Sequence, residues 1–390
     1  MAEIIERVRR EGDGGLIELT ERFDGVALAP ERLRVSATEL AEGLAGLDVQ
    51  VRQALETAIA NVRSVAEAQL RDVVSVELPQ GQRVEVAEAP LRRGGIYVPG
   101  GRAPYPSTVV MCAVTALSAG VAQVAVCAPP GPDGEAHPVI LGACALCGVD
   151  EVYRVGGAQA IAALAYGTET VEAVDVIVGP GNEWVTEAKR QVYGQVGIDG
   201  LAGPSELVVL ASSAADAELI ALDLLAQAEH GEDSPLWLIS PDEGLIDAVV
   251  EHVERLAPER PSVADAELQA ITVTTLDDGL SLAEDIAPEH LELVGAEAEA
   301  LAGEVRRAGC LFVGPGAATA FGDYVAGSNH VLPTGGAARF QPALSPATFR
   351  RRMARVSLPG EAPARLAPAG AALARAEGFP VHAESMERRA

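Results

Sequence analysis

No apolar run in the 390 residues reaches the roughly 18 to 20 that a membrane-spanning helix needs. The N-terminus, MAEIIERVRREGD, is a charged helix with no secretory apolar region. These absences point to a cytoplasmic chain with no membrane partner. Positive charge is scarce as well: 29 Lys and Arg stand against 56 Asp and Glu, a net charge of −27. A phosphate backbone or anionic bilayer would be repelled, so nucleic acid is excluded as a partner. The five cysteines, Cys112, Cys127, Cys144, Cys147 and Cys310, are an odd number set in apolar segments, which suits buried thiols better than a disulfide frame. Cys144-x-x-Cys147 lies inside the helical pattern VILGACALCG with no second CxxC, so core packing is its expected role. No G-x-G-x-x-G, internal repeat or low-complexity tract is found.

What is present is enough apolar content, 48%, for more than one core. Residues 1–93 read as an N-terminal helical segment, with EIIERVRR and VRQALETAIANVRSVAEAQL apolar at helical spacing. This segment is expected to pack with the second of two α/β units. Residues 94–203 form the first unit, in which short β-rich runs such as GGIYVP, QVAVCAPP and AVDVIVGPG alternate with helices. Residues 204–340 repeat the alternation from SELVVLA to CLFVG. Such alternation predicts two Rossmann-like parallel sheets. Residues 341–390 are an Arg- and Pro-punctuated tail with little core of its own, suited to packing on another subunit.

Four of the six histidines keep polar company: Gln227-x-x-His230 at a helix end, Glu289-His290 after Pro288, Asp323 and His330 within GDYVAGSNHVLPTGG, and His382 in EGFPVH. Together they offer amide, imidazole and carboxylate donors suited to Zn²⁺ or a similar ion in an open site, although spacing alone does not show that they converge. In the first unit the loops GGIYVPGGRAPYPST, VGGAQA and VGPGNEW each follow a strand and precede a helix. Backbone N–H groups at such turns attract anions, so a phosphate-bearing ligand is expected there.

The segments YVPGGRAPYPSTV, VGGAQAIAALAYGTETV, VGPGNEWVTEAKRQVYG, QAEHGEDSPLWLIS, APEHLELV, GDYVAGSNHVLPTGGAARF and EGFPVHAESMERR run in order along nearly the whole chain. In them the chain resembles the histidinol dehydrogenases, which oxidise L-histidinol through L-histidinal to L-histidine with two NAD⁺ in histidine biosynthesis. The resemblance implies one Zn²⁺ per subunit held by Gln227, His230, Asp323 and His382. It implies Glu289 and His290 as catalytic residues, with His290 taking the hydroxyl proton and Glu289 activating water. Substrate contacts would come from Ser205, Gln227, His230, His290, Asp323, His330, Glu377 and His382, and NAD contacts from Tyr97, Gln159 and Asn182. It also implies an intertwined homodimer in which the tail, with Glu377 and His382, completes the partner's site.

Two departures are visible. Family members commonly carry a further stretch before the first helix, and Gly200 stands where a large apolar residue such as Met is common. Three other readings stay open: a paralogous zinc- and NAD-dependent dehydrogenase of another small polyol or a sulfonated diol, a non-catalytic binding module, and a metal-dependent hydrolase. Glu377 with His330 weighs against the first, the retained Glu289 and His290 against the second, and the phosphate-type loops against the third.

Overall fold

In the computed structural model, residues 1–100 and 103–390 are described, and the chain divides into two compact units. The larger holds residues 1–69 and 91–349, the smaller 70–90 and 350–390. No helix among the described residues is long and apolar enough to cross a membrane.

The larger unit begins with helices α1 (Ala2–Asp24), α2 (Ala37–Ala45) and α3 (Val49–Ala68). A capping box between Ser36 and Glu39 starts α2, and the Asp48 carboxylate accepts the first amides of α3. The chain then leaves this unit for strands β1 (Val74–Glu77) and β2 (Arg83–Pro90). The expected helical segment therefore ends at Ala68, because the alternating VSVE and RVEVAEAP form strands.

On its return the chain builds β3 (Arg93–Tyr97), α4 (Pro106–Ser118), β4 (Gln123–Ala128), α5 (Pro138–Cys147), β5 (Glu151–Arg154), α6 (Gly157–Tyr166), β6 (Val176–Val178), α7 (Glu183–Val192) and β7 (Gly197–Ile198). These five strands are parallel in the order β5-β4-β3-β6-β7. A second series follows: β8 (Leu207–Ala211), α8 (Ala217–Ala228), β9 (Leu236–Ser240), α9 (Glu243–Leu256), β10 (Leu268–Thr272), α10 (Leu276–Ile286), β11 (His290–Val294), the short α11 (Ala296–Glu299), β12 (Cys310–Val313) and α12 (Thr319–Tyr324). Its sheet is parallel in the equivalent order β10-β9-β8-β11-β12. Strands β3, β8 and β11 are buried throughout, as strands covered on both faces must be.

The N-terminal helices do not pack mainly on the second α/β series, as expected, but on the first: α1 lies on α6, α2 on α5 and α3 on α4. The cause is the apolar stripe of α1, since Ile5, Val8, Leu16 and Leu19 share one core with Ile161, Leu164 and Val185. Four of the five free cysteines are buried, Cys144 and Cys147 among them, and burial pushes the Cys147 thiol up to about 12. That is the packing role expected of the pair. At Gly200 an added Cβ would lie 1.9 Å from Gln341 Nε2, so the Gln341 side chain fills the space a larger residue would take.

The smaller unit joins β1 and β2 to β13 (Arg350–Ser357) in an antiparallel sheet, followed by helices α13 (Ala362–Ala376) and α14 (Pro380–Glu387). Its buried apolar cluster consists of Ala371, Ala374 and Ala383 with Met386 against them.

Candidate active site

In the first sheet the predicted nucleotide contacts gather at the carboxyl ends of the strands, where open α/β sheets place ligands. Tyr97 closes β3 and is buried, and its hydroxyl accepts from the Gly157 amide at the start of α6 (3.2 Å). Burial pushes this phenol up to about 12. Gln159, 1% exposed, donates from Nε2 to Asp24 Oδ2 (3.2 Å), and burial raises the Asp24 carboxyl. Asn182 caps α7 through the Val185 amide (3.1 Å). Between β6 and Asn182, Gly179 has φ +112°, and an added Cβ would lie 2.1 Å from the Tyr97 carbonyl oxygen, so only glycine lets this edge close. In the loop GGIYVPGGRAPYPST, Gly101 and Arg102 lie outside the described residues.

In the second sheet the predicted catalytic and metal-binding residues collect at the opposite, amino-terminal edge. Ser205 and Glu206 immediately precede β8, Glu289 precedes β11 and His290 opens it. Helix α8 runs back antiparallel to the strands, so its final turn delivers Gln227 to the same edge, and His230 follows in the turn after it. A chain of short hydrogen bonds connects Gln227, Ser205 and Glu289. Ser205 Oγ donates to Glu289 Oε2 (2.6 Å) and accepts from Gln227 Nε2 (2.6 Å). A hydroxyl has one proton, so this arrangement fixes the Gln227 amide with its nitrogen on Ser205 and leaves its oxygen for another partner.

Glu289 is 6% exposed and takes a further bond from the Glu206 amide (3.0 Å). Burial raises its carboxyl, against the opposing influence of His290, Ser205 and the Glu206 amide. His290, 2% exposed, places Nδ1 3.0 Å from the Glu206 carbonyl and 3.4 Å from Glu289 Oε2. A carbonyl can only accept, so Nδ1 carries the proton and Nε2 is left unprotonated, 3.9 Å from Asp323 Oδ1. The ring leans on Phe312, centroids 5.9 Å apart.

His330 joins the two edges. Its Nδ1 donates to the Asp323 carbonyl (2.9 Å) and its Nε2 lies 3.4 Å from Thr108 Oγ1 in the first turn of α4. Asn329 holds the same helix through Met111 O (3.0 Å) and Thr115 Oγ1 (3.1 Å). Burial lowers the His330 pKa, Asp323 opposes the shift, and His230 and His290 add to it. All four groups therefore share one neighbourhood, with the carboxyl edge of the first sheet facing the amino edge of the second.

The donor set fits zinc in kind: a fixed amide oxygen on Gln227, the His230 imidazole and the Asp323 carboxylate. Among the described residues no three His, Cys, Asp or Glu side chains form a metal-binding group. The candidate set contains an amide, which such a group would not include, and its fourth member lies in the smaller unit. There His382 is exposed on α14 with Phe379 edge-on to its ring (5.2 Å), and Glu377 is exposed at the end of α13.

Three features here escape sequence reasoning. Glu206 is buried, and its Oε1 receives the Glu289 amide (3.1 Å) and the Gly335 amide (3.0 Å). Thr108 meets His330 across the two sheets. Ala287, the non-glycine residue with positive φ (51°) among those described, sets the turn into Pro288 and Glu289. A charged residue beside an apolar strand, as in SELVV, is the signal that marks Glu206; nothing in an alanine predicts a left-handed turn.

A sequence profile for histidinol dehydrogenase matches residues 1–390. A histidinol dehydrogenase of Ruegeria pomeroyi is 46% identical over 395 residues, spanning 100% of this chain and 91% of that protein. One from a Synechococcus species is 45% identical over 394 residues, spanning 99% and 91%. The crystal structure of histidinol dehydrogenase from Elizabethkingia anophelis superposes with a TM-score of 0.96 at 33% identity, covering 100% of this chain and 90% of that one.

Proposed function

The chain belongs to the histidinol dehydrogenase family, and from that premise we propose that it oxidises L-histidinol through L-histidinal to L-histidine, passing two hydrides in turn to two NAD⁺. One observation carries the assignment of roles: the chain Gln227 to Ser205 to Glu289, beside a His290 whose free nitrogen is Nε2.

His290 Nε2 takes the hydroxyl proton as the first hydride leaves the alcohol carbon. Glu289 lies against the same ring and stabilises the imidazolium that forms. Its raised carboxyl is a stronger base than an ordinary one, suited to drawing a proton from the water that adds to the aldehyde before the second hydride leaves. Gln227, His230 and Asp323, with His382, would hold zinc, which when bound orients the substrate alcohol and polarises its oxygen. Ser205 and His330 complete the substrate contacts, and Glu377 meets the substrate ammonium group. Tyr97, Gln159 and Asn182 hold NAD, with its phosphates at the helix starts of the first sheet. His330 and Thr108, touching both edges, sit where the nicotinamide and the reacting carbon would meet.

The same reading makes the protein a cytoplasmic homodimer with the smaller unit exchanged between subunits. What supports this is the smaller unit itself: its core is three alanines and a methionine, while Val74, Val356, Leu373 and Val381 are exposed.

NADH formed per L-histidinol consumed, followed by absorbance, tests the reaction. About two per substrate, lost with a chelator and restored by zinc, is expected. No NADH from histidinol, with zinc-dependent oxidation of another alcohol, would move the assignment to a paralogous dehydrogenase. Mixing E289Q subunits with H382A subunits tests the exchange. A swapped dimer regains turnover because one of its two sites escapes both changes, whereas self-contained subunits stay inactive.

A further inference from the structure

Strand β11 reads HLELV, and its central charge is not used by the chemistry above. Glu292 is 2% exposed and lies on the face of the sheet that His290 shares, two residues along the strand. Its Oε1 accepts from the Thr319 amide (3.0 Å), the first residue of α12, while Oε2 is buried without a hydrogen-bond partner. Burial and the nearby Asp223 raise the Glu292 carboxyl, and burial raises Asp223 to about 6. Asp223 stands one helical turn before Gln227 on α8, and α8 packs against α12.

The arrangement has a direct consequence for α12. This helix has six residues, too short to hold its own position, and no side chain of its N-cap residue Ala318 satisfies its first amides. Glu292 supplies the missing acceptor from the strand. Asp323 follows Thr319 by one turn, so whatever fixes Thr319 fixes the direction in which the Asp323 carboxylate leaves the helix.

We propose that Glu292 is a positioning residue: by capping α12 from β11 it sets Asp323 against Gln227, His230 and His290, and so sets the affinity of the site for a divalent metal. The inference rests on the assignment of Asp323 as a zinc ligand. Remote supports of this kind typically change metal affinity by about 10- to 100-fold.

The test measures zinc affinity of the full-length protein by competition with a chromophoric chelator, beside turnover and apo-protein melting. E292Q keeps an oxygen for the Thr319 amide and is expected to retain zinc affinity within about threefold; E292L fills the space without an acceptor and is expected to lose tenfold or more. A second variant, T319P, deletes the donor and leaves Glu292 intact. Proline suits the first position of a helix, and Ala318 already has a polyproline-like conformation (φ −54°, ψ 141°) compatible with a following proline. A tenfold or greater loss of zinc affinity in T319P supports the proposal even if E292L itself fails to fold. Wild-type zinc affinity in E292L or T319P overturns it, whatever happens to melting. If the wild-type protein binds no zinc in this assay, the zinc assignment fails, and the proposal, which rests on it, is overturned with it.

Discussion

The two parallel sheets have equivalent strand orders, yet they are finished in opposite ways at the edge where such sheets usually bind ligands. In the first, helices α4, α5 and α6 have no acidic residue in their first turn, and α7 is capped by the neutral Asn182 with Glu183 as the acidic residue of its first turn. In the second, α8 is capped by Asp216 and α9 by Asp242, α10 starts in a capping box of Thr275 and Asp278, and the Gly295 amide before α11 is taken by Glu299. A carboxylate on a helix start consumes the same amides and partial positive charge that would draw a phosphate. The first sheet leaves three of its helix starts open to an anion, and the second has answered its own helix dipoles. The second sheet's candidate site then lies at its amino edge, the edge facing the first sheet across the Thr108 to His330 contact.

If this division is real, E289Q should have the largest effect of any single conservative change. It keeps the shape at the amino edge of the second sheet but removes the carboxylate proposed as a base. Turnover of histidinol to histidine is expected to fall about 10²- to 10⁴-fold, with the KM for NAD little changed. A parallel loss of NAD affinity would mean that the two edges are not separable.

G179A strikes the other sheet. Positive φ and a Cβ 2.1 Å from the Tyr97 carbonyl force the β6 loop outward. Thermal melting should show a loss of about 2 to 3 kcal/mol, and NAD binding should weaken while zinc affinity stays. Equal loss of both would show that the sheets fail together.

Much of this was legible in the sequence, and the exceptions have physical causes. Buried runs such as ELVVLA and AVDVIVG announce parallel strands, and the motifs around Gln227, Glu289 and His290 name residues that the fold brings to one edge. The packing of α1 on α6 was not legible, because an amphipathic stripe states that a face is buried and not what buries it. The strands at Val74–Glu77 and Arg83–Pro90 are short, polar and largely exposed or half-buried, so they lack the apolar signal of the others. Glu206 and Glu292 matter through burial and backbone partners, neither of which one-dimensional spacing reports.

The comparison can also be sharpened by giving the first sheet the ending of the second. N182D retains the cap on α7, since Asp and Asn are equivalent there for stability. It adds a carboxylate where the phosphates are proposed to lie. The KM for NAD is expected to rise about three- to tenfold, which corresponds to roughly 0.7 to 1.4 kcal/mol, with melting unchanged. An unchanged KM would remove α7 from the nucleotide site.

The reciprocal change, D242N in the second sheet, should do least. Asn keeps the Gly244 and Leu245 amides satisfied, so stability moves by only a few tenths of a kcal/mol. Removing the charge leaves α9 with a neutral cap like that of α7, but the neighbouring starts at Asp216, Asp278 and Glu299 stay acidic, and Glu243 and Glu297 line the same open crevice of about 520 Å³. Phosphate should therefore still not bind there, and histidinol turnover should equal that of the wild type. Titration of D242N with inorganic phosphate, followed by melting temperature, separates the possibilities. No shift means that the whole acidic rim, and not one cap, closes this edge. A phosphate-dependent rise would mean that a single carboxylate separates the two sheets, and that the second keeps a latent anion site behind Asp242.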